Sequence, residues 1–169
     1  MIFVLRLLHI LSGLFWVGAV LFNSLILLPS IRAAGPAGGA VMAQLGRRRM
    51  PVIMMANAVV TVISGIWLMT IVSAGDLGAW MRSGPGRTFA LGGAIAILTL
   101  VGGMIVNLPT ASRMGAINQA VLQRGGAPTP DEAAALARLQ ARLAVATQVV
   151  AVLLVLATAA MAVARYLPS

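Results

Sequence analysis

The 169 residues are 60% hydrophobic and 9% charged, whereas a soluble domain carries roughly a quarter charged residues, so the composition excludes an ordinary soluble protein. The chain has no cysteine, which excludes disulfides, thiolate metal sites and thiol catalysis. The net charge of +9 comes from twelve arginines against three acids. These arginines are scattered among apolar segments and form no stripe, so we expect no nucleic-acid binding and anionic lipid headgroups as their partners.

Four apolar stretches follow one another along the chain, each close to the ~20 residues that cross ~30 Å of hydrocarbon. Because a helix satisfies its own backbone polar groups in lipid, the sequence predicts an all-α integral membrane four-helix bundle. It forms a single membrane domain, 1–169, with spans at about 7–28, 51–74, 88–108 and 143–164. The first apolar run is too long for a cleaved signal peptide, so we interpret it as a retained transmembrane helix.

Arginine positions predict the orientation of this bundle. Eight of the twelve arginines fall in the first and third connections: Arg32, Arg47, Arg48, Arg49, Arg113, Arg124, Arg138 and Arg142. Because arginine is enriched in cytoplasmic loops, we expect these two connections in the cytoplasm and both termini on the outer (periplasmic) side. The predicted location is therefore the bacterial cytoplasmic (inner) membrane, as a multi-pass protein.

The third connection, about 109–142, carries the signals of two helices. Pro109 is expected to kink the third helix, which continues to a glycine stop at Gly125-Gly126. The run Thr129-Pro130-Asp131-Glu132 matches a capping box, and no proline interrupts the chain from Pro130 to Tyr166, so one helix of ~55 Å is expected. Helices three and four should therefore extend into the cytoplasm as a hairpin.

The sequence of the first connection predicts a shorter helix at about 36–49. Its basic end consists of Arg47, Arg48 and Arg49, which we expect to face lipid headgroups at the membrane surface.

Small and weakly polar residues recur on one face of each span. The third helix presents Gly92, Ala96, Thr99 and Gly103, a spacing that lets helix backbones approach closely. This face fits packing inside the bundle, and it fits packing against a helix of another protein. The second helix presents Asn57, Thr61, Ser64 and Leu68 toward the bundle centre. The fourth is predicted to do the same with Gln148, Ala151, Val155, Thr158 and Ala162.

The first helix holds the only histidine, His9, on one face with Arg6, Gly13, Trp16, Val20 and Asn23. A neutral imidazole ligates haem iron or copper, and Arg6 is placed one turn away, where it would pair with a haem propionate. In the alternative interpretation, a Ser, Thr or carbonyl satisfies His9 within the helix packing. A single histidine supplies one imidazole ligand per chain, so a bis-histidine haem needs a second copy or another protein.

The run Leu8–Gly18, with His9, a small residue at Gly13 and Trp-x-Gly at Trp16, resembles the first-helix signature of CopD-like bacterial membrane proteins. It is also similar, less closely, to the opening of HemJ-type protoporphyrinogen oxidases. The resemblance extends loosely over all four spans. It implies a helical membrane architecture and a role for His9 as a ligand of haem b or copper. The sequence departs from both patterns because it has no second histidine and no cysteine.

One histidine and three acids assemble no nucleophile–base pair, phosphate loop or metal cluster, so we predict that the protein is not an enzyme. None of the acids falls in a span, which argues against a transporter. We expect a small accessory or scaffold subunit without a cofactor. It would pack against partner helices of a larger respiratory or photosynthetic membrane complex, or against further copies of itself. The alternative function is a haem b or copper protein that uses His9.

Overall fold

Four long apolar helices make up most of the computed structural model, which describes residues 2–168. They cover Ile2–Ala33, Met50–Val72, Gly84–Arg124 and Pro130–Tyr166, and each is long and apolar enough to cross a membrane. The described residues contain no strand. The predicted all-α class with four helices able to span a membrane is therefore confirmed, and because their number is even, Ile2 and Pro168 lie at the same end of the bundle.

The elements are defined as follows. The α-helices are α1 (Ile2–Phe22), α2 (Leu28–Ala33), α3 (Pro36–Arg47), α4 (Met50–Val72), α5 (Leu77–Trp80), α6 (Gly84–Gly102), α7 (Leu108–Arg124) and α8 (Pro130–Val163). A short 3-10 helix, Ala164–Tyr166, continues α8. Two wider π-helical turns, here called the first and second π segments, are Asn23–Leu27 and Gly103–Asn107.

Each π segment lies directly before a Leu-Pro pair, Leu28-Pro29 in one helix and Leu108-Pro109 in the other. Proline has no N–H to donate, and its ring crowds the carbonyl one turn earlier, so the regular bonding pattern cannot continue. A π turn absorbs this mismatch while the helix goes on. The predicted kink at Pro109 therefore takes the form of a π segment, and the first membrane helix has a matching one.

The helices pack as two close antiparallel pairs, α1 with α4 and α6 with α8. Residues from α1, α4 and α8 form the central apolar cluster, which consists of Trp16, Val20, Ala58, Val150, Ala151 and Leu154. In the second pair Gly92 lies against α8, where an added Cβ would be 3.0 Å from Met161 Cγ and 3.1 Å from the Ala157 carbonyl oxygen. A glycine at this position is what allows the two backbones to approach.

The fourth membrane helix is rotated relative to the prediction. Gln148, Val155, Thr158 and Ala162 are exposed, and of the predicted inward set only Ala151 is buried. The buried face consists of Leu143, Thr147, Val150, Ala151, Leu154 and Ala157. Almost every residue of this span is apolar or small, so hydrophobic periodicity gives no polar side from which to fix the rotation of the helix.

A second apolar cluster lies at the end of the bundle opposite the chain termini. It joins α2, α3, α7 and the first half of α8 through Ile31, Met42, Met114, Leu136 and Leu143. The predicted helix of the first connection is present as α3, and it packs along α7, where a Cβ on Gly46 would be 3.6 Å from the Gly115 Cα. The hairpin of helices three and four is thus a packed extension of the bundle.

Local signals at the hairpin tip fold as predicted. Gly125 ends α7 in the left-handed conformation at φ 71°. The Glu132 N–H donates to Thr129 Oγ1 at 3.3 Å, and the Thr129 N–H donates to Glu132 Oε2 at 2.8 Å, which completes the capping box. Arg124 joins the same carboxylate in an ion pair of 2.7 Å, so one side chain ties the end of α7 to the start of α8.

The hydrogen bond from Arg124 and the Thr129 N–H lower the pKa of Glu132 from 4.5 to about 2. Because the pKa is lower in the folded protein, the stabilisation is present above pH 4.5 and is lost as the pH falls to about 2. We therefore expect the rate of amide hydrogen exchange in the hairpin tip, corrected for its intrinsic pH dependence, to rise as the pH is lowered from 4.5 to about 2.

Two variants test this pH dependence. Glu132→Gln should show faster corrected exchange at neutral pH and little further change on acidification. Asp131→Asn removes the neighbouring acid, whose side chain makes no hydrogen bond to the described residues, and should retain the wild-type pH profile. An unchanged profile in Glu132→Gln would show that this carboxylate does not stabilise the tip.

Candidate functional site

His9 lies between α1 and α4, partly buried, with a defined protonation pattern. Its Nδ1 is 2.9 Å from the Thr61 carbonyl oxygen and 3.3 Å from Ser64 Oγ. A carbonyl only accepts, so Nδ1 carries the proton and donates it. In the neutral ring Nε2 is then unprotonated, and it makes no hydrogen bond within residues 2–168. A histidine that ligates a metal is usually oriented in this way, with its other nitrogen donating to a carbonyl.

The polar residues of α4 fit against the histidine because a glycine makes room for the ring. A Cβ on Gly65 would be 2.8 Å from His9 Cε1, so any larger residue would displace the imidazole. One turn deeper, Asn57 Nδ2 donates to the Ser12 carbonyl oxygen at 2.7 Å. Ser12 Oγ in turn donates to the His9 carbonyl oxygen at 3.2 Å. These bonds account for the polar face that the sequence predicted on the first and second helices.

The contacts of His9 within residues 2–168 satisfy its Nδ1 and leave its Nε2 without a hydrogen bond. Arg6 is exposed, and it makes no hydrogen bond to another described residue. Among the described residues no group of three or more His, Cys, Asp or Glu side chains is placed to hold a metal ion. The hydrogen bonds of His9 thus fit the helix-packing role that the sequence left open. The free electron pair of Nε2 also leaves one nitrogen for the ligand role.

The other predicted site residues fall into two groups. Arg47, Arg48 and Arg49 are exposed at the end of α3, and Arg49 begins α4 with φ 53°. The predicted packing residues face neighbouring helices of the same chain: Gly13, Trp16, Gly92, Ala96, Thr99 and Gly103. Gly13 lies opposite Thr61, and Gly103 lies opposite Met55. The glycine face of α6 is therefore used inside the bundle.

An exposed stripe on α8 is the feature that sequence reasoning missed. Seven exposed residues follow one another at alternating steps of four and three: Ala141, Val145, Gln148, Val152, Val155, Ala159 and Ala162. We call these residues the α8 stripe. Their period of seven over three heptads is that of helices that pack as a left-handed coiled coil. Three of its members, Gln148, Val155 and Ala162, were expected in the bundle interior.

Gln148 is the one polar member of the α8 stripe. It lies five residues inside the predicted end of the span at Leu143, which corresponds to roughly 7 Å along the helix. Its amide makes no hydrogen bond to a described residue, although polar groups in hydrocarbon need partners. By contrast, the exposed Thr158 hydroxyl donates to the Leu154 carbonyl oxygen at 2.8 Å and is satisfied within its own helix.

Comparison of this chain with family models, with curated proteins and with solved structures gives no match.

Proposed function

We propose that the protein is a non-catalytic membrane subunit that associates through the α8 stripe, and that the occupant of this stripe is a second copy of the chain. The observation that carries the proposal is Gln148, an unpaired amide on an exposed helix face inside the predicted span. Small and β-branched residues extend along the rest of the stripe, so a facing backbone has room to approach.

Orientation in the membrane favours a second copy as the occupant. All copies of a chain insert in the same direction, so two α8 helices related by a two-fold axis along the membrane normal run parallel. In a parallel heptad pair, equivalent positions lie at the same level. Gln148 then meets Gln148 of the second copy. An amide both donates and accepts, so each side chain satisfies the other.

We expect Gln148→Leu to weaken this association without abolishing it. Hydrogen bonds between membrane helices contribute roughly 0.6 to 2 kcal/mol, which corresponds to about a 3- to 30-fold increase in the dimer dissociation constant. Energy transfer between labelled copies in lipid vesicles, measured as the protein-to-lipid ratio is lowered, gives this constant.

Thr158→Val is the matched control, since it removes a polar group of α8 that is already satisfied within the helix. It should leave the dimer dissociation constant unchanged. A monomeric wild-type protein at every ratio would contradict the proposal, as would equal effects of the two substitutions. If the wild-type chain instead pairs only with a different membrane protein, the stripe is an interface but its occupant is not a second copy.

The hydrogen bond from His9 Nδ1 to the Thr61 carbonyl favours a second candidate function, the haem b or copper protein implied by the CopD-like and HemJ-like resemblance. In such a protein, Nε2 would supply one imidazole ligand per chain. We expect such a protein, purified from its native membrane, to show a Soret band that shifts on reduction and disappears in His9→Ala. A colourless and folded protein would contradict the haem form of this function.

A further inference from the structure

A cavity of about 140 Å³ lies within the bundle, in the half that contains both π segments. All four membrane helices contribute to its wall, for example through Trp16, Asn23, Met54, Thr99, Asn107 and Thr147. Most of the lining is apolar. An engineered apolar cavity of about 150 Å³ stays dry and binds benzene, so a single small ring matches the size of this one.

Both π segments face the same turn of α4. Asn23 Nδ2 lies 3.1 Å from Met54 Sδ, and a Cβ on Gly103 would be 3.4 Å from Met55 Cε. Both widened turns therefore lie beside the same two methionines in the wall of the cavity. Turns of this kind are frequent at functional sites. Two further residues of the wall, Met42 and Met50, have the flexible thioether side chain that packs favourably against an aromatic ring.

Asn107, which lines the cavity, carries an unpaired hydrogen-bond acceptor. Asn107 Oδ1, at the end of the second π segment, is buried and has no hydrogen-bond partner among the described residues. A buried polar atom without a partner is unfavourable. Because most of the wall is apolar, one donor group on an otherwise apolar ligand would satisfy this oxygen.

We propose that this cavity is a binding site for a membrane-soluble molecule with one ring and one hydroxyl group, of the phenol class. The ring occupies the apolar space beside Trp16 and the methionines. The hydroxyl donates to Asn107 Oδ1 once the amide has turned this oxygen toward the cavity. The site is independent of the α8 stripe, because Gln148 does not line the cavity.

Trp16 gives a direct readout of occupancy, because it is 5% exposed and forms part of the wall. The other two tryptophans are removed by Trp67→Phe and Trp80→Phe, the second of which retains an aromatic ring against Phe89. The probe is 4-bromophenol, whose heavy atom quenches a tryptophan in contact with it. The comparison probe is 4-bromoanisole, which has the same ring and oxygen but no donor.

We expect saturable quenching of Trp16 by 4-bromophenol, with an affinity about tenfold higher than that of 4-bromoanisole, since one buried acceptor is satisfied by the first probe alone. Asn107→Leu should make the two affinities equal. Gly103→Leu should fill the cavity and remove saturable quenching. Gly102→Leu is its control, because a Cβ on Gly102 has no atom within 4 Å. Circular dichroism identifies a variant that has lost its helices.

Three outcomes would overturn the proposal. The first is quenching of the wild-type protein that rises linearly with probe concentration, as partition into the detergent alone produces. The second is equal affinity of the wild-type protein for the two probes. The third is saturable quenching that persists in a folded Gly103→Leu protein. Because Asn107→Leu leaves the volume of the cavity nearly unchanged, it tests the hydrogen bond even if Gly103→Leu fails to fold.

Discussion

Gly65→Ala lowers the free energy of unfolding by about 1–3 kcal/mol, the usual cost of forcing extra atoms into a packed interior. The added Cβ would be 2.8 Å from His9 Cε1. The ring cannot move away freely, since its Nδ1–H is bonded to the Thr61 carbonyl oxygen at 2.9 Å. Either that bond breaks or α1 moves away from α4. Titration with sodium dodecyl sulfate, followed by circular dichroism, measures the loss.

The same substitution in a His9→Ala background should be neutral or slightly stabilising, because the clash is gone and alanine favours a helix over glycine by up to about 1 kcal/mol. Gly18→Ala is the matched control within α1, since a Cβ on Gly18 has no atom within 4 Å. An equal cost of Gly65→Ala with and without the histidine would refute the contact between these two residues.

Gly92→Leu is the second substitution with a large expected effect, a loss of about 3 kcal/mol or more. Its Cβ would lie 3.0 Å from Met161 Cγ and 3.1 Å from the Ala157 carbonyl oxygen. The methionine can change rotamer, but the carbonyl belongs to the backbone of α8, so α6 and α8 must separate. We expect a lower midpoint of thermal unfolding in detergent.

Gly102→Leu controls for placing a leucine in the same helix, and it should leave the midpoint nearly unchanged. In a Gly92→Ala protein, where only the Cβ is added, a second substitution, Met161→Ala, should restore part of the lost unfolding midpoint. In Gly92→Leu, where the contact with the α8 backbone dominates, Met161→Ala should restore little of it. Equal effects at Gly92 and Gly102 would mean that the α6–α8 contact is not as close as described.

The four membrane helices and the helix ends at the hairpin tip follow from strong local signals in the sequence, whereas the short helix α5 was not predicted. Span length fixes the four membrane helices. Pro130 with the Thr129–Glu132 capping box fixes the start of α8, and Gly125 fixes the end of α7. Each of these signals acts within a few residues, so the sequence reports it directly.

The rotation of α8 and the π segment of the first helix were not predictable in the same way. A helix with almost no polar residues has no marked face, and Gln148 was placed inside on the expectation that amides pair within their own bundle. Pro29 marks the position of the first π segment, but a proline either ends, kinks or widens a helix, and the local sequence does not say which. The cavity depends on both π segments together, so it arises only in the assembled bundle.

The polar contacts of His9 agree with one of the two interpretations of the sequence. The partners are Thr61 and Ser64, which belong to the face that the second helix was predicted to present to the bundle centre. What the sequence could not supply is the close approach at Gly65, because a glycine in an apolar helix has the same local pattern wherever it faces. The orientation of the bundle across the membrane stays a prediction from the arginine positions.

Disulfide cross-linking in native membranes tests the association of two copies most directly, because a chain without cysteine gives single-cysteine variants with no background. Val145→Cys and Val152→Cys place the thiol on the α8 stripe, at side chains 64% and 61% exposed. Leu14→Cys and Leu98→Cys place it on other helices, at side chains 70% and 66% exposed.

Facing positions of a close helix pair meet the short Cα separation that a disulfide requires. We predict covalent dimers from the two α8 positions alone; equal yields at all four positions, or dimers only from Leu14→Cys or Leu98→Cys, would contradict the account.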